Sequence, residues 1–147
     1  MGKAKGPFGG SSHCSASAEQ VWTVCTKPAE WPGDAIVMAN IDGPLAVGAK
    51  ITMRVKRHPP LRLTVTRVEA PKMWTAVAKG PGLTETIDLL VEPKDSGTLI
   101  TQRSVFTGPL ASIAARILGG TVRKTFQATT AHFGRLAERR VRGVVGH

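Results

Sequence analysis

From residue 35 onward the chain alternates apolar and polar residues with a period of two. Ile51, Met53 and Val55 alternate with Thr52, Arg54 and Lys56, and Leu61, Leu63 and Val65 alternate with Arg62, Thr64 and Thr66. Side chains on a strand point to opposite faces in turn, so each run presents one apolar and one solvated face. Strands are predicted at 35–41, 49–57, 61–69, 73–79, 83–92 and 98–107. The separators, such as Asp42-Gly43-Pro44, Ala70-Pro71-Lys72 and Gly80-Pro81-Gly82, are short and rich in turn residues, which makes successive strands antiparallel neighbours.

Over 110–141 the period changes to the helical one. Ile113, Ile117, Val122, Phe126, Thr129, Phe133 and Leu136 recur at spacings of three to five, which predicts one long helix with these residues on its buried stripe. Gly108-Pro109 stands where a strand would stop and a helix start. At 1.5 Å per residue, about thirty residues give a rod of about 45 Å, which needs a broad apolar surface to lie on. Gly119-Gly120 interrupts the pattern at about 1 kcal/mol per Gly relative to Ala, so a bend or a change of packing partner is expected there.

The first third of the chain is less regular. Residues 11–16 suggest an edge strand. Ser17 and Gln20 have the spacing of a capping box, opening a helix that carries Val21, Trp22, Val24 and Cys25 and halts at Pro28. Residues 29–33 read as a second short helical turn. The Gly/Ser/Lys-rich segment 1–10 is expected to be a loose tail, 142–147 a second tail, and 11–141 a single domain of α+β class.

Composition narrows the function classes. No run of apolar residues is long enough for a membrane span, and the N-terminus lacks the apolar core of a signal peptide. The two cysteines, Cys14 and Cys25, have no metal-site spacing and read as free thiols of a reducing compartment, so a cytoplasmic protein is expected. The net charge of +10 is uneven: from Leu110 onward seven basic residues face one acid, Glu138. Such a helix is either a solvated face or a docking surface for anionic lipid, nucleic acid or an acidic partner. Tyr is absent and aromatics are only 5% of the chain, so stacking on nucleic-acid bases is poorly supplied and that partner is disfavoured.

Several segments resemble one known family. Glu19-Gln20-Val21-Trp22-Thr23-Val24 followed by Pro28-Ala29-Glu30-Trp31-Pro32 resembles the opening of the polyketide cyclase/dehydratase and lipid-transport branch of the START-like (SRPBCC) superfamily. Asp42-Gly43-Pro44-Leu45-Ala46-Val47-Gly48-Ala49 is similar to its turn into the next strand. Gly97-Thr98-Leu99-Ile100-Thr101-Gln102, then Phe106-Thr107-Gly108-Pro109-Leu110, resembles its last strand and entry into the C-terminal helix. The resemblance spans about residues 13 to 136. It implies a helix-grip fold: a curved seven-stranded antiparallel sheet around a long C-terminal helix, two short helices after the first strand, and a cavity for an apolar or amphipathic small molecule.

Within that frame, strand alternation nominates a lining. Ile100, Gln102 and Ser104 share the face of Phe106, the face that in the family pattern points at the cavity; Glu85, Ile87, Leu89 and Val91 share one face of the strand before. Trp74, Ala76 and Ala78 are the inward choice on the next strand, with the opposite register left open. The expected ligand contacts are therefore Met53, Leu63, Trp74, Ile87, Leu89, Ile100, Gln102, Ser104 and Phe106 on the sheet, Phe126, Thr129 and Phe133 on the helix, and Trp31 at the entrance. Gln102 and Ser104 can orient a polar ligand group by hydrogen bonding.

Glu85 is the one carboxylate with an inward register. It is either a general acid or base with a pKa raised by burial, or a solvated residue at the rim beside the Gly80-Pro81-Gly82 turn. His132 has no carboxylate three or four residues away to orient it and reads as a surface histidine; His13, His58 and His147 have no zinc-ligand spacing. Cys25 reads as a buried inert thiol and Trp22 as packing. No metal and no cofactor is expected. The function expected is binding of a lipid, quinone or polyketide-like molecule as carrier or sensor. The alternatives are a cyclase/dehydratase using Glu85, and a basic module docking on anionic lipid or RNA.

Overall fold

The computed structural model describes residues 4–56 and 59–145. Seven strands form one antiparallel sheet: β1 (Lys5–Cys14), β2 (Ile36–Ile41), β3 (Lys50–Val55), β4 (Leu61–Glu69), β5 (Met73–Gly80), β6 (Leu83–Lys94) and β7 (Gly97–Thr107). Their order is β1-β7-β6-β5-β4-β3-β2, so every strand from β2 to β7 pairs with its predecessor or successor in sequence, and β1 closes on β7. Helix α1 (Ala18–Cys25) and a single 3-10 turn, Pro28–Glu30, link β1 to β2; helix α2 (Ala111–Val145) packs on the concave face. This is the helix-grip architecture. Residue 57, at the end of one expected strand, lies outside the described residues, as do His58 and His147.

The alternation decides what faces inward. Ile51, Met53, Leu63, Val65, Trp74, Ala76, Ile87, Leu89 and Ile100 are all buried and form the core with Val21, Val24, Phe126 and Phe133. At α1 the capping box is complete: the Ser17 hydroxyl accepts from the Gln20 N–H, and the Gln20 carboxamide accepts from the Ser17 N–H. Register shifts in β1, β2 and β4 are bulges of the kind that bend a sheet.

Segment 5–10, expected as tail, is the first half of β1 and pairs with β7 from Lys5↔Phe106 to Gly10↔Gln102. Its glycine content comes from packing. A Cβ on Gly10 would stand 2.5 Å from the Gln127 nitrogen of α2, so only glycine lets strand and helix backbones meet there. Polar side chains then fasten the contact: Gln127 Nε2 donates to the Ser11 carbonyl at 2.8 Å, and Ser12 and Thr130 share a hydroxyl–hydroxyl bond of 3.0 Å.

Helix α2 runs on to Val145, past the expected end at 141. It passes Gly119-Gly120 without a break and changes packing partner there. Before the pair, Ala111, Ala114 and Leu118 pack with Phe8, Leu83 and Phe106; after it, Phe126, Phe133 and Ala137 enter the main core. The buried stripe of the first three turns is therefore set by alanines, and the expected Ile113 and Ile117 are 57% and 68% exposed. Among the described residues no helix is long and apolar enough to cross a membrane.

Candidate functional site

Helix α2 lies chiefly on β1 and β7, touching β6 only lightly, so it leaves the concave face of β3, β4 and β6 partly uncovered. A cavity of about 360 Å³ occupies the gap, within the usual ligand-pocket range of about 300–1,000 Å³. Met53, Val55, Leu61, Ile87 and Phe106 form its sheet side, and Leu118, Val122, Thr125 and Phe126 its helix side. Pro59, Pro60 and Thr121 also border it and are exposed, which marks the mouth.

Among the described residues, Glu85 is the only ionisable side chain that borders the cavity. It pairs across β6 and β7 with Phe106, and its carboxylate accepts a hydrogen bond from the Ser104 hydroxyl on the diagonal position. Loss of water around the carboxylate raises its pKa above the ordinary glutamate value, and the Ser104 bond opposes part of that rise. The rim reading of Glu85 is thus half right: the residue lies near the β5–β6 turn, yet its side chain is half-buried and borders the cavity.

Of the residues nominated from sequence, Met53, Glu85, Ile87, Phe106 and Phe126 border the cavity. Ser104 is fully buried and reaches it through Glu85. Gln102 and Thr129 are buried one step deeper, and each holds a side-chain oxygen without a protein partner. Leu63, Leu89 and Ile100 are core, away from the cavity.

The aromatic expectations need correction. Trp31 is 3% exposed and stacks on Trp74 with ring centroids 5.6 Å apart, while Phe133 tilts against it at 6.2 Å. Both indole N–H groups donate to one carbonyl, that of Cys25, at 3.3 and 3.2 Å. Trp31, Trp74 and Phe133 form a sealed plug, and Trp31 guards no entrance. His132 is half-buried, its Nε2 paired with the Glu30 carbonyl at 3.0 Å. It ties the 3-10 turn to α2 and does not border the cavity.

Sequence reasoning missed Val55, Pro59, Pro60, Leu61, Leu118, Thr121, Val122 and Thr125 as cavity residues. Alternation names the inward face of a strand; it does not say which end of that face the helix leaves bare.

No family model and no curated protein matches the sequence. Solved structures do match it in shape. A point mutant of norcoclaurine synthase from Thalictrum flavum, in complex with a transition-state analogue, shares 13% identity at a TM-score of 0.73, covering 95% of this chain and 98% of that one. Norcoclaurine synthase from the same plant, in complex with dopamine and hydroxybenzaldehyde, shares 14% identity at a TM-score of 0.71 over 94% and 88% of the two chains. Protein MLL2253 from Mesorhizobium loti shares 18% identity at a TM-score of 0.67 over 93% and 98%. At these identities the likeness concerns the fold: the chain has the helix-grip fold of START/Bet v 1-like proteins, one able to enclose a small apolar or amphipathic ligand.

Proposed function

We propose that this protein is an acid–base enzyme of the cyclase/dehydratase kind, acting on an apolar or aromatic carbonyl compound of polyketide type, with Glu85 as its proton-transfer group. One observation carries the reading: a carboxylate, with its pKa raised by desolvation and its position held by Ser104, borders a cavity of ligand size that is mainly apolar among the described residues. A carboxyl tuned upward is matched to proton transfer nearer neutral pH than a solvated glutamate is.

The chemistry follows from that placement. The Glu85 carboxylate takes a proton from the carbon next to a substrate carbonyl, leaving an enolate. Protonated Glu85 then returns the proton to a departing β-hydroxyl, which leaves as water, and the carboxylate is regenerated. In a cyclisation the enolate carbon attacks a second carbonyl of the same chain, and the proton goes to the new alkoxide. The apolar walls exclude water and hold the chain folded, which supplies much of such a rate by proximity. Gln102 and Thr129, each buried with a side-chain oxygen that has no protein partner among the described residues, are candidates to hold a polar group of the substrate. That norcoclaurine synthase crystals hold aromatic small molecules in this fold supports the reading by analogy of fold.

A carrier or sensor for a lipid or quinone is the second reading, favoured by the apolar walls. The buried free thiols Cys14 and Cys25 support a reducing compartment for either. The deciding experiment incubates the protein with a panel of β-hydroxy ketide thioesters, alongside native mass spectrometry of freshly purified material. Turnover that falls by about 10²–10⁴ in Glu85→Gln supports the enzyme. A co-purifying lipid with no turnover supports the carrier.

A further inference from the structure

The cavity mouth lies beside a surface that the fold leaves uncovered. Leu110, Ile113 and Ile117 are 45%, 57% and 68% exposed, three of the few large apolar side chains left in water. Successive residues of a helix turn by about 100°, so these three share one face, opposite the buried Ala111 and the half-buried Ala115 and Val122. Thr121 stands between that face and the cavity, which it borders, and the exposed Pro59 and Pro60 extend the apolar surface across the mouth.

Cations frame this stripe. Lys124 continues it two turns beyond Ile117, and Arg116 and Arg123 flank it; all three are exposed. Lys56, just past the end of β3, and Lys79, near the end of β5, are exposed as well. Helix α2 has no acid before Glu138. An apolar ridge framed by cations is complementary to a bilayer with anionic headgroups, where the ridge enters the headgroup–acyl boundary and the cations stay at the phosphates. A second copy docking through the same ridge would bring these cations together, so charge disfavours a dimer.

We infer that the first turns of α2 and the proline loop form a docking surface for an anionic membrane, placing the cavity mouth at the lipid interface. The residues substituted in its test, Ile113, Arg116, Ile117 and Lys124, do not border the cavity, so the inference and the acid–base reading can fail independently.

The test is flotation of the full chain with phosphatidylcholine vesicles, with and without about 30 mol% phosphatidylglycerol. Binding is expected on the anionic vesicles alone, and it should fall at least about tenfold between 50 mM and 500 mM salt. Ile113→Ser/Ile117→Ser should lose about tenfold or more, and Arg116→Glu/Lys124→Glu should abolish binding. Both variants alter exposed side chains, and unchanged melting temperatures would show that the fold is intact. No flotation with either vesicle would overturn the inference. So would flotation unaffected by the isoleucine changes, or vesicle-independent dimerisation that those changes abolish. Retention on RNA without vesicle binding would also overturn it.

Discussion

The Ser104 hydroxyl reaches across from β7 and donates to the Glu85 carboxylate on β6. The two residues are diagonal neighbours in the paired strands, so the sheet register itself sets their approach. Ser104 is wholly buried and Glu85 half-buried, so the bond sits where the sheet's interior meets the cavity. The bond fixes the position of the carboxylate to which the proposed reaction assigns proton transfer.

Burial raises the Glu85 pKa, and the sign of its effect on stability follows. Between the ordinary glutamate value and the raised one, the folded chain binds more protons than the unfolded chain. This group's contribution therefore weakens the fold as pH rises through that window, and the loss persists above it. Glu85→Gln removes the charge. Thermal melts at a series of pH values should show the variant gaining on wild type as pH rises above the ordinary glutamate value, with no further relative gain once the raised Glu85 value is passed.

Thr125 borders the cavity from the helix and belongs to neither core cluster. Thr125→Phe should fill empty space, raising stability by about 0.5–2 kcal/mol while weakening any small-molecule ligand at least tenfold. Calorimetry on the fluorescent probe that the wild type binds best reads the second effect, and a melt reads the first.

Trp31 is a packing residue. Trp31→Phe keeps a ring against Trp74 and loses the bond to the Cys25 carbonyl, so it should cost about 1–2 kcal/mol of stability. Ligand affinity of the folded variant should stay within about twofold of wild type, as isothermal titration can establish.

Gly10→Ala should destabilise by about 1–3 kcal/mol, because its Cβ would press on the helix backbone at Gln127. A urea titration measures this, and hydrogen exchange should place the loosening in β1 and α2.

The strands were legible because each must hide one face, and the period of two records that requirement directly. Helix α2 was legible in extent; its phase was not over the first turns. There the large residues Ile113 and Ile117 face solvent and small alanines face inward, against the rule that size and burial go together. Strand β1 hid behind its glycines, since the same composition serves a loose tail and a strand pressed on a helix. Glu85 and Phe106, placed by alternation together with the inward register that the family resemblance implies, both border the cavity. Pro59, Pro60 and Thr125 join the cavity through the angle at which α2 crosses the sheet, a tertiary quantity with no local signature. Trp31 was misplaced for a related reason: Pro32-Gly33 suggested an exposed corner, and only the stack on Trp74 shows that the ring turns inward.

The most direct test of the central claim is proton abstraction itself, which needs no knowledge of the full reaction. The protein is incubated in D2O with a panel of aryl alkyl ketones, and NMR follows deuterium entering the carbon beside the carbonyl. The wild type should accelerate exchange for at least one ketone, and Glu85→Gln should slow it by about 10²–10⁴. Acceleration equal in wild type and Glu85→Gln, or none with any ketone, would contradict the assignment of Glu85 as the proton-transfer group.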